Sequence, residues 1–334
     1  ILKELENAVY KVLSVEKKET KRTPYAPFTT STLQQEASAK LHFSAKQTMM
    51  MAQKLYENGF ISYMRTDSLN LSEESLRMAK EVIIKSFGKD YSLDQPRRFK
   101  TKSKGAQEAH EAIRPTDPKR DPGALSNLDD KQHELYDLIW KRFIACQMPP
   151  AVFDSMTVDI TANDFIFRAN GSVIKFDGWL KVYPSKVIEN VLPNVSLNEI
   201  LELIKLLSNQ HFTQPPPRYS EATLIKALEE NGIGRPSTYA PIITTIQTRN
   251  YVVKNEQRKF VPTETGTLVN DIMIKHFPSI VDVKFTATME EDLDKIAEGK
   301  EKWALVIKNF YQPFHKNLMQ KHEEVEKQNT DEKT

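Results

Sequence analysis

Residues 60–68 place a tyrosine, Tyr63, within a run of polar side chains. A phenol has an ordinary pKa of about 10, so it needs a nearby cation to become a competent nucleophile toward phosphate. Arg65 lies two positions later, and in an extended connector it would point to the same side as Tyr63 and stabilise charge on phosphate oxygens. The spacing predicts attack by Tyr63 on a phosphodiester. A packed core side chain is the common alternative for a tyrosine beside apolar residues.

A second cluster, residues 107–116, contains Gln107, His110 and Arg114. If residues 106–114 are helical, these three side chains lie at spacings of three and four and share one face that suits a phosphate. Spacing alone favours the alternative, a solvated surface helix.

The third cluster, residues 232–239, lies where a helix is predicted to begin. Backbone N–H groups at that point, the hydroxyls of Ser237 and Thr238, and the guanidinium of Arg235 are suited to binding phosphate. Arg249 follows the same predicted helix and extends this surface. An ordinary helix–helix turn with a Ser or Thr cap is an equal alternative.

Helical patterns surround Tyr63. Apolar residues recur at helical spacing on both sides of it, and Asn58-Gly59 is a typical helix stop. Tyr63 is therefore predicted on a short connector between helices. The predicted starts of the four helices of this region are Thr30 or Ser31, Ser44, Ser72 and Asp129.

From Ala151 the hydrophobic period changes to strict alternation, which predicts antiparallel sheet with a turn at Asn170-Gly171. The strand-like residues 9–15 have no local partner, so we expect them to pair with this sheet. Residues 23–150 are then an insertion that leaves the sheet near residue 22, returns near 150, and could hinge there.

The third region begins after Pro215-Pro216-Pro217. Ser220 is predicted to cap a helix that ends at Asn231, and a second helix and a hairpin follow, an order that resembles a winged helix. The chain is thus predicted to have mixed α and β structure and several domains. They are a β-rich arch (1–22 plus 151–217), an inserted helical domain with Tyr63 (23–150), a helical winged-helix-like domain (218–318) and a charged tail (319–334).

Composition narrows the class of protein only slightly. The 334 residues carry 47 basic and 45 acidic side chains, a net charge of +2, which identifies no partner. The single cysteine, Cys146, excludes an internal disulfide and a cysteine-based zinc site within these residues. No secretory signal or bilayer-length apolar run is evident, so we expect a cytoplasmic protein with no membrane partner.

Several runs together carry a family resemblance. Residues 63–68 are similar to the active-site tyrosine signature of type IA DNA topoisomerases, and Met64 resembles the bacterial topoisomerase I branch. The further runs that resemble this family, in its order, are residues 27–37, 48–56, 107–116, 210–216 and 232–239. By motif position, the resemblance implies Tyr63 as nucleophile, Arg65 as its phosphate-stabilising partner and His110 as an active-site DNA contact. It also implies contacts to single-stranded DNA from Arg114, Arg235, Ser237, Thr238 and Arg249.

The resemblance further implies the fold and activity of the family. The fold would be the type IA toroid without its N-terminal TOPRIM domain and zinc-ribbon region, and the activity ATP-independent relaxation of negatively supercoiled DNA through a 5′-phosphotyrosyl intermediate. Mg²⁺ would be held in the TOPRIM domain, so no metal is expected on this chain. We expect a nucleoid-associated monomer that binds single-stranded DNA weakly, and cannot relax DNA without that domain. Residues 290–294 are predicted to be a solvated helix face with Leu293 inward, and not a metal site.

Two rival functions remain open. A non-enzymatic winged-helix DNA-binding protein would explain residues 218–262 but leaves Tyr63 without a role. A tyrosine recombinase also uses Tyr, Arg and His on phosphate, but there the nucleophile normally follows the His and Arg motifs, whereas Tyr63 precedes His110 and Arg114.

Overall fold

A computed structural model describes residues 1–100 and 110–324. Its strands are β1 (Tyr10–Arg22), β2 (Ala151–Ala162), β3 (Phe165–Phe176), β4 (Ile200–Leu201), β5 (Val252–Lys254) and β6 (Phe260–Pro262). Its helices are α1 (Leu2–Glu6), α2 (Thr30–Lys40), α3 (Ala45–Glu57), α4 (Glu73–Phe87), α5 (Asp130–Cys146), α6 (Glu221–Glu230), α7 (Tyr239–Thr248), α8 (Glu264–His276), α9 (Pro278–Val281), α10 (Val283–Ala297) and α11 (Trp303–Glu324). The predicted mixed α and β fold is confirmed. None of the helices described is long and apolar enough to cross a bilayer.

The described residues fall into two compact units. The first takes its residues from Ile1–Ala26, Glu73–Arg97 and Lys141–Pro216, and the second from Pro27–Ser72, Arg98–Trp140 and Pro217–Thr334. The three domains predicted from the sequence stay a prediction, because compactness does not test which pieces fold or move independently.

The first unit is built on an antiparallel sheet of order β3-β2-β1-β4. β1 pairs with β2 from Tyr10 opposite Ala162 to Arg22 opposite Ala151, with one register shift at Leu13. This confirms that the N-terminal strand finds its partner in the sheet that begins at Ala151. The indole N–H of Trp179 donates to the carbonyl of Arg22 over 2.9 Å, which fixes the point where the chain leaves the sheet.

The turn predicted at Asn170-Gly171 is wrong. Both residues lie inside β3, where Gly171 pairs with Met156 of β2. The chain reverses instead at Asn163, which has a φ of 52° in the left-handed region that asparagine tolerates. Glycine at position 171 has a packing reason, since an added Cβ would lie 2.8 Å from Leu192 Cγ.

The second unit packs α2 against α6 and α3 against α7. Its helix starts are set by local hydrogen bonds. Thr29, and not Thr30 or Ser31 as predicted, caps α2 in a reciprocal capping box with Thr32. The predicted cap of α3 by Ser44 is confirmed, and so is the cap of α6 by Ser220. A buried cluster in this unit consists of Ala45, Ile225, Tyr239, Ala240, Ile243 and Phe260.

The buried carboxylate of Glu221 links the starts of α3 and α6. It accepts a hydrogen bond from the backbone N–H of Ala45 over 2.7 Å and forms an ion pair with Lys254 on β5. The carboxylate therefore satisfies one of the free N–H groups at the start of α3 and connects it to the hairpin. The predicted order of helix, turn, helix and hairpin from α6 to β6 is confirmed.

Candidate active site

Tyr63 lies on the connector between α3 and α4, and α2 holds this connector from one side. The Thr30 hydroxyl donates to the carbonyl of Met64 over 2.7 Å and accepts from the backbone N–H of Thr66 over 2.9 Å. The backbone N–H of Thr30 donates to the Thr66 carbonyl over 2.8 Å. The first residue of α2 thus fixes the backbone on both sides of Arg65.

Residues 112–116 hold the same connector from the other side. The Ser62 hydroxyl donates to the Ala112 carbonyl over 2.7 Å and accepts from the backbone N–H of Arg114 over 2.9 Å. A bridge between Ile61 and Pro115 continues this pairing. The backbone around Tyr63 is therefore hydrogen-bonded on both flanks, which limits its movement.

The helix predicted over residues 106–114 is wrong for its described part, residues 110–114, because this segment is extended. Its backbone hydrogen bonds go to residues distant in the chain: Ile113 N–H donates to Phe28 O over 2.8 Å, and Ala112 N–H to Asn70 O over 2.8 Å. Tertiary partners here replace the helical hydrogen bonds. Gln107 lies outside the described residues.

Burial alternates along the connector. Met64 and Thr66 are each 2% exposed, whereas Tyr63 is 42% exposed and Arg65 is also exposed. Met64 and Thr66 therefore anchor the connector in the core, whereas Tyr63 and Arg65, two positions apart, are both accessible. Across the described residues, the Arg65 side chain has no hydrogen-bond or ion-pair partner, which leaves its guanidinium available for an anion.

Two aromatic rings flank the ring of Tyr63. Tyr56, in the last turn of α3, makes an edge contact with a centroid separation of 5.3 Å and an interplanar angle of 67°. The imidazole of His110 makes another at 6.3 Å and 84°. The structure thus brings His110 to Tyr63, and a DNA contact by His110 stays a prediction. Tyr56 was not predicted as a site residue, although it ends the family-like run 48–56 and stands just before the helix stop.

The guanidinium of Arg114 forms an ion pair with Glu111. Its guanidinium donates to Glu111 Oε2 from both Nε (3.0 Å) and Nη2 (2.6 Å), and to the carbonyl of Pro115 over 2.9 Å. Burial raises the pKa of Glu111, but the hydrogen bond from Ser72 and the charge of Arg114 outweigh burial and hold that pKa below its usual value. A role for Arg114 in binding DNA stays a prediction, and the observed role is to pair with Glu111.

The third cluster forms a tight turn before α7. The Thr238 hydroxyl accepts from Arg235 N–H over 2.8 Å, so Thr238 is used within the turn. Ser237 and Arg249 are exposed. The guanidinium of Arg235 donates to Gly234 O over 2.9 Å and to Asp294 Oδ2 over 2.7 Å. DNA contacts by these four residues stay predictions.

Residues 290–294 were predicted to turn their acidic side chains to solvent and Leu293 inward, and this prediction is wrong. Leu293 is 48% exposed, whereas Glu290 and Asp294 turn toward Arg235. The residues that pair with Arg235 lie more than fifty positions away in sequence, so no local pattern indicated them.

Charged residues of two sequence clusters affect the pKa of the buried phenol of Tyr239. Burial is the main cause that raises its pKa, and the negative charges of Glu229, Asp67 and Glu290 raise it further while Arg235 lowers it. Asp67 belongs to the tyrosine connector and Arg235 to the third cluster. Both clusters therefore lie within electrostatic reach of one side chain.

The described residues do not form a site for Mg²⁺, which the resemblance places in the TOPRIM domain. Within residues 1–100 and 110–324, no group of three or more His, Cys, Asp or Glu side chains could hold a metal ion. Glu290 and Asp294 are instead engaged with Arg235. No step of the chemistry below is therefore assigned to a metal on this chain.

Comparisons with known proteins show the family to which the chain belongs. A family model described as DNA topoisomerase matches residues 1–308, and the chain belongs to this family. It is 47% identical over 312 residues to DNA topoisomerase 1 of Haemophilus influenzae and 48% identical over 320 residues to DNA topoisomerase 1 of Pseudomonas aeruginosa. These alignments cover 92% and 95% of the chain but only 36% and 37% of those relatives.

A solved structure has the same fold. Full-length topoisomerase I from Thermotoga maritima is 36% identical, with a TM-score of 0.84 over 94% of this chain and 53% of that protein. The resemblance inferred from the motifs is confirmed. The chain spans roughly a third to a half of the length of the proteins it matches.

Proposed function

We propose that this chain supplies the nucleophile of a type IA DNA topoisomerase. The observation that carries the proposal is the exposed Tyr63, which lies two residues from the exposed Arg65 on a hydrogen-bonded connector and has the imidazole of His110 against its ring. The hydroxyl oxygen of Tyr63 attacks a phosphodiester phosphorus of single-stranded DNA. A P–O bond forms to the tyrosine as the bond to the 3′ oxygen breaks, the phenol loses its proton, and the leaving 3′ oxygen gains one.

Arg65 serves this step by stabilising charge on the phosphate oxygens, and His110 contacts DNA beside the tyrosine. Because the exchange of one phosphate ester for another conserves bond energy, the reverse attack by the 3′-hydroxyl reseals the strand without ATP. Passage of a second strand while the break is open would relax negatively supercoiled DNA. Arg114, Arg235, Ser237, Thr238 and Arg249 are proposed contacts to the single strand.

The cofactor, partners and location follow from the same family. Mg²⁺ is proposed to be held by an acidic N-terminal domain of the TOPRIM type, which would act with this chain on DNA in the cytoplasm, as a monomer. The three predicted domains, 1–22 plus 151–217, 23–150 and 218–318, are proposed as its moving parts. The chain alone is then expected to bind single-stranded DNA weakly and not to relax a plasmid.

Covalent trapping tests the proposal. An oligonucleotide labelled at its 3′ end would be incubated with the chain, Mg²⁺ and the N-terminal domain of the Pseudomonas aeruginosa relative, then denatured. A labelled protein band is expected from wild type and not from Tyr63→Phe. Tyr219→Phe is the matched control, because Tyr219 is also exposed, at 53%, and should still form the adduct. An adduct that survives Tyr63→Phe would contradict the assignment.

The second candidate function is a non-enzymatic winged-helix DNA-binding protein, which α6, α7 and the β5–β6 hairpin favour. It predicts no adduct in the reconstituted mixture and tighter binding to duplex than to single-stranded DNA. Magnesium-dependent relaxation by the purified chain alone would instead contradict the proposed need for a second domain.

A further inference from the structure

The guanidinium of Arg235 is enclosed by acceptors from its own chain. Nη2 donates to Asp294 Oδ2 over 2.7 Å, Nη1 donates to Gly234 O over 2.9 Å, and Glu290 Oε2 lies 3.8 Å from Nη1. The side chain of Arg235 is 30% exposed and that of Glu290 only 19%. Both carboxylates are placed by α10, where residues four positions apart share a face.

The charges of this group do not suit a phosphate. One positive guanidinium faces two carboxylates, so the local sum is −1 if all three groups are ionised. A phosphodiester brings a further negative charge and seeks the same N–H donors as Asp294. Phosphate can therefore pair with Arg235 only if a carboxylate gives up its hydrogen bond.

Arg235 lies in a turn where replacement of a carboxylate by a DNA phosphate would affect binding of a strand. Arg235 opens the turn that also exposes Ser237, and its charge acts on Tyr239 together with the charge of Asp67 from the tyrosine connector. A single strand that contacts both this turn and Tyr63, as the proposed function requires, would meet a guanidinium already paired with carboxylates.

We propose that Asp294 and Glu290 occupy the place of a phosphate on Arg235 and set the affinity of this turn for single-stranded DNA by competing with the strand. The inference rests on the proposed function. In the free chain the two carboxylates hold the guanidinium in a fixed position. When a strand binds, one of its phosphates accepts the hydrogen bonds of the Arg235 guanidinium in place of Asp294. The released Asp294 carboxylate is then hydrated by solvent, to which its side chain is already 37% exposed in the paired state.

The sign of a mutational effect separates competition from simple positioning. Asp294→Asn keeps the size of the side chain but removes the competing charge, so single-stranded DNA should bind more tightly, by about threefold to tenfold. If Asp294 only positions Arg235 for phosphate, the same change should weaken binding. The probe is a fluorescein-labelled oligothymidylate followed by anisotropy at fixed salt, since binding falls steeply with ionic strength.

Glu291→Gln is the matched control. Glu291 lies on the same helix, is exposed, and is not among the carboxylates that pair with Arg235, yet its replacement removes the same charge. Glu290→Gln is a second test variant, with a smaller expected gain because Glu290 lies farther from the guanidinium. Circular dichroism melting would verify that each variant is folded, so either test variant alone can decide the question.

A double variant tests whether the effect of Asp294 depends on Arg235. In an Arg235→Ala background, Asp294→Asn should change binding no more than Glu291→Gln does, because the competition is gone. The inference is overturned if wild type binds the oligonucleotide but Asp294→Asn weakens binding or only matches Glu291→Gln. Failure of wild type and all variants to bind would instead overturn the proposed binding of single-stranded DNA by this chain, and this inference with it, whereas the trapping assay tests the nucleophile separately.

Discussion

The side-chain hydroxyl of Thr30 lies 2.7 Å from the carbonyl oxygen of Met64, the residue between the proposed nucleophile and its arginine. Thr30 is completely buried and Met64 is 2% exposed, so water cannot replace this hydrogen bond. The start of α2 therefore decides how the connector presents Tyr63. This relationship leads to the first prediction.

Replacement of Thr30 by valine should both destabilise the protein and slow adduct formation. Valine has nearly the same shape but leaves the Met64 carbonyl and the Thr66 N–H without their partner, a loss of about 1–3 kcal/mol in the free energy of unfolding. Urea unfolding measures the first effect and the trapping assay the second. Thr30→Ser keeps the hydroxyl and should retain most of both. Equal behaviour of the valine variant and wild type would show that the connector is held by other contacts.

A second prediction concerns the ring contact between Tyr56 and Tyr63. An edge-to-face aromatic pair contributes about 0.5–1.5 kcal/mol beyond burial, so Tyr56→Ala should slow adduct formation by about 2-fold to 12-fold. Tyr56→Phe keeps the ring and should stay close to wild type. The measurement is the initial rate of adduct formation at saturating oligonucleotide, where weaker DNA binding no longer contributes. If Tyr56→Phe is as slow as Tyr56→Ala, the phenol oxygen of Tyr56 matters and the packing explanation fails.

The third prediction is a pH dependence at Glu111. Because the pKa of this carboxylate is lower in the folded protein than its ordinary value of 4.5, Glu111 stabilises the fold fully above that value. The stabilisation is lost as pH falls through the lowered folded-state pKa. Glu111→Gln should therefore lower the free energy of unfolding at neutral pH, and the gap to wild type should narrow below about pH 4.5.

Urea unfolding at several pH values would follow that gap. Glu230→Gln is the control, since Glu230 is 64% exposed in a surface pair with Lys226 and should change stability by less than about 0.5 kcal/mol at every pH. A gap between Glu111→Gln and wild type that is constant with pH would mean that the ion pair with Arg114 adds no charge-dependent stability.

Local sequence determined the elements that present Tyr63. The cap of α3 at Ser44 and its end near Asn58-Gly59 were predicted, because capping and helix termination depend on residues only a few positions apart. The same reasoning predicted that Tyr63 lies on a connector between helices, and the structure places it between α3 and α4 with Tyr63 and Arg65 both exposed. The partner of β1 was also predicted, because an isolated strand must pair with some sheet.

Tertiary structure decided the surroundings of that connector. Residues 110–114 have helical spacing but are extended, because Phe28 and Asn70 accept their backbone hydrogen bonds. The contact of Tyr56 with Tyr63 depends on how α3 ends against the connector, and the pairing of Arg235 with Asp294 spans 59 positions. The types and spacing of the side chains determined the chemistry available at Tyr63. Within the described residues, only the packing of distant segments decided that Arg114 and Arg235 are paired whereas the Arg65 guanidinium has no partner, because the energy of an ion pair depends on separation and burial in three dimensions.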